Sequence, residues 1–286
     1  MRTVRIFLAA SLSALLALGL SASSLADTAD APEADRKAFQ NFYKERFPDT
    51  PFEDFANGIY SIDKERRAEW EQMEEFPQYE LDIDAGEARF HKKFANGKGF
   101  ADCFPDYESG VRQNYPHWDP ERGEVVTMEW AINLCLEENG EKPLKYNRGP
   151  LAEISAYLAY LSRGHLIDVK VPKDDPRALA AYEDGKRFYY TRRGQLNFSC
   201  ASCHVHTSGL KLRSDLLSPA LGQVSHFPVY RKKWNAVGTL HRRYGGCNRQ
   251  VRAASFKPQS RQYRNLEYFH TYMSNGIRLN GPGGRQ

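Results

Sequence analysis

Beyond residue 20 this sequence has no apolar run long enough to cross a bilayer, so no later segment is expected to span a membrane. It also lacks a dominant charge. Forty Lys and Arg against 36 Asp and Glu leave a formal +4, which excludes the strongly basic footprint of a nucleic-acid-binding domain. Methionine is scarce, and Met273 is the only one after Met128. Chemistry that needs a thioether in the C-terminal half has that single donor to draw on. Cysteine is sparse too, five in all. An odd number cannot be fully paired, so at least one thiol stays single or is bonded to something other than cysteine.

What is present begins with an address. Arg2 and Arg5 precede the apolar run Ile6 to Leu20, and Ser24-Leu25-Ala26 offers a small-x-small cleavage site. Residues 1–26 read as a signal peptide and the periplasm as the destination, an oxidising compartment. The remaining charge is unevenly spread. The N-terminal half is rich in Asp and Glu (Glu71 to Glu75, Glu137 to Glu141), whereas Lys and Arg dominate from Lys186 onward. Such asymmetry points to an anion met by the C-terminal half.

Two amphipathic patterns echo one another. "GPLAEISAYLAYLSRG" ends at Gly164 and "SRQYRNLEYFHTYMSNG" at Gly276. Aligned without a gap, Leu151, Ile154, Tyr157 and Leu161 fall opposite Tyr263, Leu266, Phe269 and Met273 at helical spacing. The same register sets Cys135 opposite Cys247. Upstream, "FANGKGFADC" and "YEDGKRFYY" each carry a Gly-Lys pair ahead of a cysteine region. The chain therefore reads as a duplication. Residues 27–85 form an N-terminal helical extension with no chemistry of their own, 86–172 a first unit and 173–286 a second. Asp168 to Pro176 has the charge and proline of a linker.

Chemistry is carried by Cys200-Ala201-Ser202-Cys203-His204, a C-x-x-C-H segment. Two thiols at this spacing reach the two vinyl groups of one porphyrin, and the adjacent histidine falls beneath the iron. A zinc site would need a second Cys/His pair that the sequence does not pattern. A redox dithiol would want a βαβ context, and the flanks here are a helix and a Gly/Ser loop. One covalent haem c per chain is the expectation. If the halves are duplicates, the first has lost its C-x-x-C-H. Cys103 and Cys135 then occupy the old attachment and axial regions across an empty pocket, where a disulfide could replace the cofactor.

Cys247 remains single. For the sixth iron position Met273, His206, His226, His241 and His270 are each conceivable, but Met273 lies on the apolar face of a terminal helix. Cys247 fits better, in what reads as a Gly245-Gly246 loop allowing close backbone approach to a porphyrin. Arg242, Arg243 and Arg249 nearby favour a thiolate and an anion beside it.

With C-A-S-C-H, "LSPALGQVSHFPVYR" and "RRYGGCNRQVRA" in hand, the chain resembles the SoxA family, cytochrome subunits of periplasmic thiosulfate oxidation, and it resembles the single-haem type. The resemblance implies a mainly α fold. Two cytochrome c-like domains stand in tandem, the first haem-less with a Cys103–Cys135 disulfide. It implies His204 and Cys247 as axial ligands, Cys247 as a persulfide and active-site sulfur, and Arg243 as the substrate-binding residue. The implied reaction joins thiosulfate oxidatively to a cysteine of the carrier SoxYZ, with electrons leaving through the haem and that of the partner cytochrome SoxX. The competing reading is a monohaem electron carrier with Met273 or a histidine on the distal side.

Overall fold

The computed structural model describes residues 23–285. The expected signal peptide lies outside the described residues except for Ser23 to Ala26, which enter the first helix. Helix α1 (Ser23–Arg46) is followed by a 3-10 segment (Phe52–Ser61), α2 (Lys64–Glu74), α3 (Glu80–Phe90) and the single turn α4 (Phe100–Cys103). Then come the hairpin β1 (His117–Asp119) and β2 (Glu124–Val126), α5 (Met128–Glu138) and α6 (Pro150–Leu161). After the connection 162–175, α7 (Pro176–Tyr190) leads to a π-type turn (Ser202–His206) and a small hairpin, β3 (Lys211–Leu212) with β4 (Asp215–Leu216). A second hairpin, β5 (Val229–Arg231) and β6 (Ala236–Gly238), precedes α8 (Leu240–Gln250) and α9 (Arg261–Tyr272). The chain closes with β7 (Gly283–Arg285), parallel to β5.

The expected echo is visible in the order of elements. Thr127 and Thr239 stand at the N-caps of the eleven-residue helices α5 and α8, and each helix is preceded by a hairpin. Twelve-residue helices follow, α6 and α9. Gly164 and Gly276, at matching positions beyond those helices, then tie the two stretches together. The Gly164 amide donates to the Leu279 carbonyl and the Gly276 amide to the Ile167 carbonyl. Leu166 and Arg278, which also correspond, pair across an antiparallel bridge. Equivalent residues meeting face to face is the signature of an approximate two-fold relation.

The Gly-Lys echo, in contrast, was a false register. Gly97 sits in a turn after α3, while Gly185 lies inside α7. The true counterpart of Gly185 is Gly86. A Cβ on Gly86 would stand 2.1 Å from the Glu153 carbonyl oxygen in α6, and one on Gly185 would stand 1.9 Å from the Asn265 carbonyl oxygen in α9. Each glycine marks where two helices cross at backbone contact. The expected boundary at 85/86 consequently cuts α3 in its middle.

Two buried clusters fill the interior. One joins Tyr79, Ile83, Phe90, Phe100, Ile132, Leu151 and their neighbours, with Cys103 and Cys135 joined in a disulfide beside them. The pocket expected there is not empty. Phe90 lies 5.7 Å from Phe100 and 4.6 Å from Tyr107, and Phe94 lies 5.0 Å from Phe100. Aromatic rings occupy the space, because an unfilled void would forfeit dispersion contacts on every wall.

The other cluster unites α7, α9 and the segment around Ala201 with Phe39 and Tyr43 of α1. The N-terminal region is therefore part of this core, not an appendage. Helix α7 is set at its start by Asp175, whose carboxylate accepts from the Arg177 amide (2.9 Å), and by Pro176 in the first turn.

Asp82 on α3 gives a pH signature. Partial burial, then the nearby Glu153 charge, push its carboxyl up to about 6, although it accepts from the Val237 amide. A raised carboxyl pKa means that ionisation opposes folding. The penalty is absent below the free carboxyl range and complete above about pH 6. Asp82→Asn keeps an acceptor for Val237 and should stabilise the protein at pH 7.5 by about 1 kcal/mol after solvent screening. No gain is expected at pH 4. Melting curves at the two pH values check this, and equal shifts at both would disprove it.

Candidate functional site

The C-x-x-C-H segment is shaped by two serines. The Ser199 hydroxyl accepts from the Ser202 amide (3.0 Å), and the Ser202 hydroxyl accepts from the Ser199 amide (3.1 Å). This reciprocal cap starts the turn that carries Cys200, Cys203 and His204 to the wall of one cavity of about 670 Å³. Neither thiol is in a disulfide. Burial pushes Cys200 up to about 12 and raises Cys203, so both are neutral thiols at ordinary pH.

His204 is held from behind. Its Nδ1 lies 3.0 Å from the Ser218 carbonyl oxygen and 2.8 Å from Gln223 Nε2, so both contacts fix the ring through that nitrogen. Its own carbonyl accepts from the Tyr43 hydroxyl and from the Ala220 amide (3.2 Å). Tyr43, fully buried on α1, thus braces the histidine from a segment that sequence reasoning left without a role.

Cys247 comes to the same cavity from α8. The expected Gly-Gly loop is a helix, since Leu240, His241, Tyr244 and Asn248 bury a face at helical spacing and outweigh the weak propensity of Gly245 and Gly246. The thiol is within hydrogen-bonding reach of His204. Burial works against its ionisation, but Arg243, His204 and Arg231 prevail, and the pKa falls to about 7. Of the three single cysteines, one is poised as a thiolate.

Arg243 lies one helical turn before Cys247 and lines the cavity; Arg242 and Arg249 do not. Arg242 stacks on Trp234 at 4.2 Å, and Arg249 turns to the Ser255 hydroxyl (3.3 Å). In their place the fold brings Arg231, from β5, near Arg243 and Cys247.

Three of the rival ligands, Met273, His241 and His270, are otherwise engaged. Met273 is 1% exposed in the core, as its apolar position implied. His241 accepts the Gln259 amide at Nδ1 (3.1 Å) and presents Nε2 to Glu267 at 3.0 Å. His270 lines the cavity, yet Tyr244 meets its Nδ1 (3.0 Å) and Nε2 faces the Ala220 carbonyl (3.4 Å). His206 and Met273 do not reach the cavity wall; His226 does, with its Nδ1 buried and without a hydrogen-bond partner. Two thiols at vinyl spacing, an imidazole held at Nδ1 and a thiol of lowered pKa within its reach form a donor set that fits haem c.

Comparison with known proteins points the same way. The family described as SoxA/TsdA, cytochrome c domain, matches residues 85–167. An L-cysteine S-thiosulfotransferase subunit SoxA from Allochromatium vinosum is 56% identical over 259 residues, covering 91% of this chain and 92% of that one. The chain belongs to the SoxA family. A SoxA of the same description from Chlorobaculum tepidum is 53% identical over 254 residues, covering 89% of this chain and 88% of its own. The fold also matches a chain in the crystal structure of SoxXA from P. pantotrophus, with TM-score 0.67 and 32% identity over 73% of this SoxA and 79% of that chain.

Proposed function

We infer that this SoxA is the haem-bearing catalytic subunit of a periplasmic L-cysteine S-thiosulfotransferase. The enzyme class follows from family membership. One haem c per chain would be held covalently by Cys200 and Cys203, with His204 and Cys247 as the residues that would bind its iron. The observation that carries this reading is the meeting of His204 and an acidified Cys247 at the wall that also holds both C-x-x-C thiols. The matching helix pairs and the aromatic-filled first half support a tandem of cytochrome c-like domains, the first without haem.

Overall, thiosulfate and a carrier thiol become a cysteine S-thiosulfonate, one proton and two electrons. Each sulfur brings an electron pair, so the new S–S bond forms only as two electrons leave. Haem c, when bound, supplies a one-electron acceptor for them. Arg243 holds the sulfonate oxygens of the dianion and orients its terminal sulfur toward Cys247. Carried as a persulfide, Cys247 would join its outer sulfur to the terminal sulfur of thiosulfate as two electrons leave; the carrier thiolate, having lost its proton, would then attack that terminal sulfur and release the Cys247 persulfide unchanged. SoxX would receive the electrons and SoxYZ would bring the carrier cysteine.

Arg243→Ala tests the reading. It should keep the haem spectrum and lose thiosulfate-dependent turnover by about 100-fold, the scale of one anion-stabilising donor. Unchanged turnover would remove Arg243 from the reaction.

A further inference from the structure

Arg231, near Arg243 and Cys247, is not alone on its side of the cavity. β5 and β7 run parallel, and their register sets Arg231 beside Arg285. Both residues line the cavity. Like charges at neighbouring positions of a sheet repel, so an anion bridging the two would relieve the pair.

Arg285 feels the Glu74 charge but is short of hydrogen-bond partners. Its guanidinium lies 5.2 Å from the ring centres of both Tyr60 and Trp70, which stack on each other at 4.9 Å. Nη1 donates to the Gly284 carbonyl (2.6 Å), whereas Nε and Nη2 are buried with no hydrogen-bond partner. Glu74 is close, but its Oε1 accepts from the Gly284 amide (2.7 Å) and the Trp70 indole (2.9 Å), and its Oε2 from the Tyr79 hydroxyl. Burial brings Arg285 down to about 10. A buried, unsatisfied charged donor costs more than the roughly 1–3 kcal/mol of a neutral one, so a partner from outside the chain is called for.

The chemistry of that partner follows from where a porphyrin would be anchored. Thioethers at Cys200 and Cys203 fix its vinyl edge, and the wall beside them is apolar, with Phe188, Leu196 and Phe198. The one arginine there, Arg193, is occupied by the Phe188 carbonyl and lies 3.4 Å from the Phe188 ring centre. The two carboxylates of haem leave from the other side of the ring. On different elements, β5 and β7, stand two desolvated guanidinium groups.

We propose that Arg285, with Arg231 beside it, binds the propionate carboxylates of haem c, so that the C-terminal strand β7 is part of the cofactor site. This rests on the haem c reading above. Bidentate pairing would satisfy the orphaned Arg285 nitrogens and keep the carboxylates ionised inside the protein. A fixed cation at the ring edge also favours the less positive ferrous state, so it raises the reduction potential.

The test uses full-length, haem-loaded protein. Arg285→Gln, Arg285→Lys and Arg231→Gln are compared with wild type by covalent haem content and by spectroelectrochemical titration. Arg285→Gln should lower the potential while the thioethers keep the haem attached, and Arg285→Lys should restore most of the shift. If Arg285→Gln does not fold, Arg231→Gln should still lower the potential. Unaltered potentials in the glutamine variants would overturn the proposal. So would a rise in thiosulfate KM of about ten-fold at unchanged potential, which would assign these arginines to substrate. A wild-type chain without covalent haem would end the haem reading itself, a separate failure seen before any variant is made.

Discussion

Cys247→Ala is expected to abolish thiosulfotransferase turnover, by on the order of 10⁴-fold or more, while leaving covalent haem in place. The two effects would separate because the proposed thioethers lie at Cys200 and Cys203, around the turn after α7, whereas Cys247 belongs to α8. A positioning role alone would cost far less, since Arg243 and the cavity remain intact. The thiol is the one group there whose pKa is brought down, to about 7, against the pull of burial. No other side chain at the cavity wall can take over as a sulfur nucleophile once Cys200 and Cys203 are alkylated. Two measurements check the assignment. Turnover with thiosulfate and carrier reads the chemistry, and electron paramagnetic resonance of the ferric protein reads the loss of a low-spin thiolate signal. Turnover near wild type, or an unchanged signal, would reject Cys247 as the reacting sulfur.

How this site could be read in advance depended on sequence separation. Cys200, Cys203 and His204 sit in one turn, so their spacing alone specifies the geometry. Cys247 was identified as the facing sulfur, although Gly245-Gly246 suggested a loop where packing enforces a helix. With α8 helical, the arginines sort themselves. Arg243 is four residues before Cys247 and shares its face, whereas Arg242 and Arg249 fall on other sides and stack on Trp234 or bond Ser255. Tyr43, Arg231 and Arg285 could not be found this way. Each reaches the cavity or its histidine only through tertiary contacts, and although Arg231 ends a quoted segment, nothing in that segment's spacing gave it a role. Cys135 falls opposite Cys247 in the one repeat register that holds, and the family resemblance implied its bridge to Cys103, but the aromatic filling around that bridge was not legible. A repeat register shows which residues correspond, while the volume between helices depends on side chains from several elements.

The helix crossings offer a last test, of the fold that carries the site. At Gly185 an added Cβ would lie 1.9 Å from the Asn265 carbonyl oxygen, 2.6 Å from its carbon and 2.9 Å from the Phe269 Cβ. All three atoms belong to α9 or the base of its side chain, so no rotamer change relieves the clash. Alanine would gain about 1 kcal/mol of helix propensity over glycine. Forcing two packed helices apart costs about 3 kcal/mol or more, so the loss wins. Gly185→Ala is therefore expected to lower the melting temperature by roughly 5–10 °C. It should also disturb the haem spectrum, because α7 leads into the Cys200 turn and Leu266 and His270 of α9 line the cavity. Gly86→Ala, with its Cβ 2.1 Å from the Glu153 carbonyl oxygen, should destabilise comparably and leave that spectrum nearly unchanged, since α3 and α6 do not line the cavity. A stable Gly185→Ala protein would mean that α7 and α9 do not cross at backbone contact. Equal spectral damage from both variants would mean instead that the two stretches are mechanically one body, with the cavity sensitive to strain at either crossing.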